Sequence, residues 1–243
     1  MHIGLIGGIG PAATEFYYRG LVAAHASTGQ ALDLTIVHAD IREFTRNATA
    51  GAAQDQAGIY LQFVKRLQSA GADAVAITSL GGHFCIQELE AISPLPVINA
   101  IPIINLYLKQ REMKRVALLG TRFVMESGIY GGISAVEFII PEGDDFDAVH
   151  DTYLDIATTG VVTEQQRAFF FSICTRLRSD RGAEAVMLGG TDLYLVFKDH
   201  ECGFPVIDCA EIHIEALARA ASESPEQFMN PRDNIDYGSG RIF

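Results

Sequence analysis

Ile3-Gly4-Leu5-Ile6-Gly7-Gly8-Ile9-Gly10-Pro11-Ala12-Ala13-Thr14 opens the chain with an apolar run, a cluster of glycines and the start of an amphipathic stretch. That order is a buried strand turning into a helix, and Val116-Ala117-Leu118-Leu119-Gly120-Thr121 repeats its outline mid-chain. At an offset of 113, Gly7 falls on Gly120 and Tyr17 on Tyr130. At an offset of 111, the run from Asp73 to Ser79 falls on the run from Glu184 to Gly190. Chance similarity between buried strands is the alternative. If the repeat holds, Ser79 and Gly190 occupy equivalent strand ends, where open α/β sheets bind ligands. The site is then expected in a cleft between the two halves.

Outward from these stretches, short apolar runs alternate with longer amphipathic ones. Strands are expected at Ile3–Ile6, Leu34–His38, Ala74–Thr78, Val97–Ala100, Val116–Leu119, Ala135–Ile139, Ala185–Leu188 and Val206–Asp208. Their nearly continuous Val/Ile/Leu/Ala content suits parallel strands covered on both faces. Helices are expected over Thr14–Ala26, Asp55–Ala70 and Glu164–Ser179, and Ile59, Phe63, Val64 and Leu67 recur at helical spacing. The alternation predicts an α/β fold of doubly wound parallel sheets.

Composition narrows the function. The 243 residues carry 18 Lys plus Arg against 30 Asp plus Glu, a formal charge of −12, with 49% apolar residues. This is a globular profile. It argues against nucleic-acid and anionic-membrane partners, which need clustered cations. The glycine-broken start has no basic flank, so it reads as strand and turn rather than a signal peptide. The four cysteines, Cys85, Cys174, Cys202 and Cys209, have no Cys-x-x-Cys spacing, which predicts reduced thiols and a cytoplasmic protein. The seven histidines are scattered, and no metal site is expected. The acids from Glu142 to Asp155, with no Lys or Arg among them, read as a solvated loop entering a helix. The tail Ser222–Phe243 reads as loosely attached.

Four segments can carry chemistry. Gly8, Ile9 and Gly10 precede a helix and can cradle a carboxylate or phosphate, or simply form a tight turn. Pro11 and Ala13 break the dinucleotide spacing and no Walker lysine follows, which disfavours a nucleotide-binding protein. Thr78-Ser79-Leu80-Gly81-Gly82-His83 ends a buried strand, and His83 can orient Ser79 or move a proton. Leu188-Gly189-Gly190-Thr191-Asp192-Leu193 offers Asp192 as a proton carrier, although Asp192 or Thr191 can equally cap the next helix. In Gly120-Thr121-Arg122-Phe123-Val124-Met125, Thr121 can hold a carboxylate while Phe123 and Met125 pack. Arg122 is a ligand contact, a solvated surface residue or part of a dimer-interface ion pair.

In this order Gly7–Thr14 (GGIGPAAT), Gly120–Met125 (GTRFVM), Leu188–Leu193 (LGGTDL) and Asp208–His213 (DCAEIH) resemble the aspartate/glutamate racemase family over roughly residues 1–220. The resemblance implies two pseudo-symmetric doubly wound domains, commonly a homodimer, and no cofactor. It places the first domain at 1–105 with 212–243 and the second at 106–211. It also implies an isomerase in which two cysteines face the substrate α-carbon, one thiolate removing a proton and the opposite thiol returning one. Those positions fall on Ser79 and Gly190 here, so two-thiol racemisation is excluded at them. The family's cations for acidic substrates are missing too. Asn47–Ala57 holds no Lys or Arg and Gly160 is followed by Val161, leaving Arg42 and Arg46 as stand-ins. The expected ligand is a small amino acid or carboxylate held by Gly8, Ile9, Gly10, Thr121, Arg122, Phe123 and Thr191. Ser79, His83 and Asp192 are the candidates for one-sided proton transfer. The alternative is a non-catalytic carboxylate-binding or regulatory protein.

Overall fold

The computed structural model describes residues 1–129 and 131–222. Tyr130 of the repeat, the tail after Ser222, and with it the end of the expected first domain, lie outside the described residues. The chain divides into two compact units. One comprises Met1–Asn99 with the described segment from His213 onward, and the other Ala100–Ile212.

The first unit runs β1 (Ile3–Gly7), α1 (Pro11–Thr28), β2 (Leu34–His38), α2 (Ile41–Thr49), α3 (Ala53–Ser69), β3 (Ala74–Ile77), a 3₁₀ turn (Gly81–Cys85) and α4 (Ile86–Ile92). Its parallel sheet has the order β2-β1-β3. Central β1 is buried throughout, and Tyr60, Val64 and Leu67 of α3 cover it. Gly4 permits that approach, because a Cβ there would lie 2.9 Å from Leu67 Cδ1. α1 starts at Pro11, earlier than expected, since proline's missing N–H costs nothing in the first helical turn.

The second unit runs α5 (Ala100–Gln110), β4 (Arg115–Leu119), α6 (Arg122–Glu126), β5 (Glu137–Ile139), α7 (Asp144–Thr159), α8 (Glu164–Ser179), β6 (Ala185–Leu188), a 3₁₀ turn (Thr191–Leu193), α9 (Tyr194–Phe197), β7 (Val206–Asp208) and α10 (Cys209–Ser222), whose residues from His213 belong to the first unit. Its parallel sheet has the order β5-β4-β6-β7. Val149, Tyr153 and Ile156 of α7 and Phe170, Ile173 and Leu177 of α8 share one core with β4 and β6. The acids from Glu142 to Asp155 are not a free loop. Most sit on α7, where three acids in the first turn suit the helix dipole, and Arg176, Arg181 and Arg122 pair with Asp145, Glu142 and Asp147.

Each unit is thus a parallel α/β sheet flanked by helices. The pairing Ile3↔Ala74 of β1 and β3 corresponds, through the two sequence offsets, to Val116↔Ala185 of β4 and β6. The expected strand Val97–Ala100 is reduced to one bridge, Val75↔Val97, because α5 already begins at Ala100. That bridge sits where β7 sits in the other sheet. Pro96 O accepts from Val75 N as Pro205 O accepts from Val186 N, so Pro96-Val97-Ile98-Asn99 matches Pro205-Val206-Ile207-Asp208.

Candidate functional site

In both sheets the chain leaves the central strand toward one neighbour and later returns to its other side. The carboxyl ends of β1 and β3, and those of β4 and β6, therefore flank switch points, the places where open α/β sheets take ligands. All four glycine-containing segments singled out from the sequence lie at these ends.

In the first unit, Gly8 adopts φ +93°, and a Cβ there would lie 2.5 Å from His38 Nδ1 and 2.6 Å from the Ala39 carbonyl. Only glycine fits this turn. Thr14 holds the turn closed: its Oγ1 accepts from Gly8 N (2.9 Å), donates to Gly10 O (3.1 Å) and lies 3.4 Å from Thr78 Oγ1. The Gly8 amide is thereby committed within the loop. Ile9 and Gly10 are buried beside it.

Ser79 is half-buried just past β3, and His83 is fully buried in the 3₁₀ turn that follows. His83 Nδ1 contacts the Ser79 carbonyl at 2.8 Å; since a carbonyl only accepts, Nδ1 carries the proton. The bond thus goes to Ser79's backbone and not to its hydroxyl. Burial pushes the His83 pKa down to about 4, so the ring is neutral near pH 7. Behind it, edge-on at 6.0 Å, stands the His213 ring. His213 Nε2 donates to Ile98 O (2.9 Å) and Nδ1 accepts from the Tyr17 hydroxyl (2.9 Å). Burial, with the His83 charge as a second cause, brings His213 down to about 3. Tyr17 stood out only in the internal repeat and His213 only in the Asp208–His213 motif, and nothing local showed that they meet.

In the second unit, Gly189 N donates to Leu119 O at 2.7 Å, joining the loops after β4 and β6. Thr121 caps α6 by accepting from Val124 N (3.3 Å). Arg122 donates to Asp147 Oδ1 (2.6 Å), lies over the Phe146 ring, and gives its backbone N–H to His150 Nδ1 (3.0 Å). Met125 packs as expected, whereas Phe123 is 49% exposed because it lies on the outer face of the short α6.

Gly190 has ordinary extended torsions, φ −106° and ψ 119°, so its conformation does not demand glycine. Space does: an ideal Cβ would lie 2.4 Å from Tyr153 Cε2 and 2.6 Å from Cζ. The Tyr153 hydroxyl donates to Asp192 Oδ2 at 3.4 Å. Neither Thr191 nor Asp192 caps a helix. The turn is closed by Leu193 N donating to Gly190 O, with no side-chain cap. Thr191 Oγ1 is buried with no hydrogen-bond partner among the described residues. Tyr153 escaped the sequence reading because only the fold brings it beside Gly190.

The buried thiols are poor bases. Cys85 is fully buried, and its pKa is pushed up to about 12 by burial and by Glu88. Burial also raises Cys174 and Cys209. Arg42 is bound to Asp40 (2.6 Å) and Arg46 lies 3.5 Å from Glu43, all at the surface. Where the expected cation is missing, Asn47 Nδ2 donates to Gln56 Oε1 at 3.0 Å in a buried amide pair. Among the described residues no three His, Cys, Asp or Glu side chains gather as a metal cluster, and no helix is long and apolar enough to cross a membrane.

A structure of a putative Asp/Glu racemase from Yersinia pestis is 26% identical, with TM-score 0.78, covering 92% of this chain and 100% of that one. An aspartate racemase homologue from Pyrococcus horikoshii OT3 is 23% identical (TM-score 0.76; 91% and 99% covered). The aspartate racemase of Picrophilus torridus is 22% identical (TM-score 0.72; 92% and 96%). The two latter likenesses bear on the fold alone. The family model described as Asp/Glu/Hydantoin racemase matches residues 6–217, nearly the whole described chain. The chain therefore belongs to the Asp/Glu/Hydantoin racemase family.

Proposed function

We propose that the protein binds a small amino acid or related carboxylate and performs cofactor-independent, one-sided proton transfer at its α-carbon. The supporting observation is that polar groups gather at the switch points of both sheets while the buried cysteines stay protonated. Ser79, His83 and Asp192 are the proton carriers of this reading, and Ile9, Gly10, Thr121 and Thr191 its ligand contacts. A homodimer acting in the cytoplasm completes it.

Incubation with amino acids in deuterium oxide, followed by proton NMR, tests the reading. The α-proton signal of at least one amino acid should fade, and Ser79→Ala, His83→Gln and Asp192→Asn should identify the carrier. Silence across the panel, with ligand-induced thermal stabilisation retained, supports a second reading: a non-catalytic carboxylate-binding protein. The bond from His83 to the Ser79 carbonyl, which leaves the serine hydroxyl without that base, favours this alternative.

A further inference from the structure

β2 closes one edge of the first sheet, and among the described residues no strand lies beyond it. Ile3 N donates to Asp33 O and Ala39 N to Gly7 O, so Asp33, Thr35, Val37 and Ala39 turn their main-chain groups toward β1. The N–H and C=O groups of the alternate residues Leu34, Ile36 and His38 therefore point outward along an open edge. Lysines, prolines and bulges commonly keep such edges apart. Leu34–His38 contains no Asp, Glu, Lys, Arg or Pro, and its register with β1 is continuous.

An apolar strip runs beside that edge. A Cβ on Gly4 would meet Leu67 of α3, and one on Gly7 would meet Thr14 of α1. Ile3, Leu5 and Gly7 thus face α1, and so do their partners Leu34, Ile36 and His38. Gly20 packs on Ile214 of α10, and α10 reaches Ile98, beyond β3, through His213. The opposite flank of α1, which carries Tyr18 and Val22, hence lies on the β2 side. Tyr18, Val22 and Ile36 are 50%, 41% and 39% exposed. Thr14 stands level with Gly7 and therefore with His38. Two strand residues back is about 7 Å, which α1 covers in about four residues, so Tyr18 stands level with Ile36.

We infer that this edge is where a second copy of the chain docks: the two β2 strands pair antiparallel about a two-fold axis at Ile36, with Tyr18 and Val22 of both copies closing over the seam. The axis makes the pairing reciprocal. Ile36 exchanges main-chain bonds with the partner's Ile36 and Leu34 with the partner's His38, which uses the groups left pointing outward. With strands about 4.8 Å apart, α1, as the crossover between β1 and β2, lies about 5 Å from the seam. The two α1 helices then stand about 10 Å apart, an ordinary packing distance. Charge fits a second copy as well. Two chains of net charge −12 can meet closely only on a neutral surface, and β2 is uncharged. Glu15 and Arg19, paired at 3.7 Å within one chain, straddle the level of the axis. Rotation sets each Glu15 opposite the partner's Arg19. This gives the homodimer proposed above its interface and rests on none of the ligand contacts.

Sedimentation of the full chain over a concentration series tests the proposal, and the wild type should be a dimer. Ile36→Lys and Tyr18→Glu each place two like charges beside the axis. A loss of about tenfold per copy enters a two-fold interface twice, so the dimer Kd should rise about a hundredfold, with the circular dichroism spectrum unchanged. Val161→Lys, at an exposed apolar position of the second unit, should leave the Kd as it is. Glu15→Arg should weaken the dimer and the added Arg19→Glu restore it. Hydrogen exchange reads the same edge without a substitution: the amides of Leu34, Ile36 and His38 should be protected in the dimer and lose protection on dilution. A monomeric wild type overturns the proposal, as does a dimer that survives Ile36→Lys or leaves those three amides in fast exchange. Dimerisation seen only after cutting the chain at Ser222 also overturns it and assigns the strip to the chain's own tail. Each of these failures leaves the ligand reading standing, since no ligand contact is touched.

Discussion

Replacing Asp208 by asparagine should stabilise the protein, and do so increasingly as the pH rises. Asp208 ends β7 and accepts the N–H groups of Ala210 (2.8 Å) and Glu211 (3.4 Å) at the start of α10. Burial nevertheless outweighs those bonds, and its pKa rises from 3.8 to about 7. A carboxyl more basic in the folded than in the unfolded chain adds stability below the unfolded value and loses it as pH climbs through the folded one. Three pH units at 1.36 kcal/mol each put the loss at about 4 kcal/mol by neutral pH. Asparagine keeps an oxygen for the Ala210 amide and cannot ionise; the first unit already has Asn99 at the matching position. His83 and His213 act in the opposite direction. Their folded values lie near 4 and 3, so the stability they hold above pH 6.5 is lost as pH falls. In the wild type between about pH 4 and 6.5, two groups therefore raise stability with pH while one lowers it, for a net slope of roughly 1.4 kcal/mol per unit. In Asp208→Asn that slope should double. Urea unfolding of both proteins from about pH 4 to 7.5 reads the difference directly. A gap that stays constant across that range, or a variant less stable at neutral pH, refutes the reasoning.

Gly190→Ala should cost about 1–3 kcal/mol through overlap with the Tyr153 ring, and distinctly less in a Tyr153→Leu background. Strictly additive losses in urea unfolding would show that the two residues do not compete for space. Thr14→Val should destabilise by about 1–3 kcal/mol because it strands the Gly8 amide, the Gly10 carbonyl keeping the Thr14 N–H, whereas Thr14→Ser should keep most of that stability. Equal stability of the two variants counts against the closed loop. Of the four thiols, only partly exposed Cys202 should react quickly with an aromatic disulfide in the native protein, the other three only on unfolding. A second fast thiol would contradict their burial.

Much of the fold was legible because buried parallel strands write themselves as continuous apolar runs. Ile3–Ile6 and Ala185–Leu188 were read nearly to the residue for that reason. Val97–Ala100 looked the same locally but became one bridge, since the helix beginning at Ala100 takes over its last residue. The acids near 145 looked like a loop because their cationic partners, Arg176 and Arg181, lie on a later part of the chain. The site divides in the same way. Gly8 announced its turn, as a left-handed position beside a helix start does, and Thr14 lay within the quoted motif. The absent thiols at Ser79 and Gly190 were visible by resemblance. The ring that fills the space beside Gly190 was not, because Tyr153 reads as one more apolar position on an amphipathic helix until the sheet turns that helix toward Gly190.

The first unit takes its last helical segment from beyond the second, and this sets an order of assembly on the ribosome. The amino group of Met1 reaches the Ala221 carbonyl, Tyr17 needs His213, and Gly20 is packed against Ile214. Residues 100–212 form a continuous stretch that can close on itself as soon as it emerges. The unit begun first must wait. At about 5–20 residues per second, the interval is on the order of ten seconds. During it the α1 face bearing Tyr17 and Gly20 is uncovered in the nascent chain, and it is there that a holdase would find its grip.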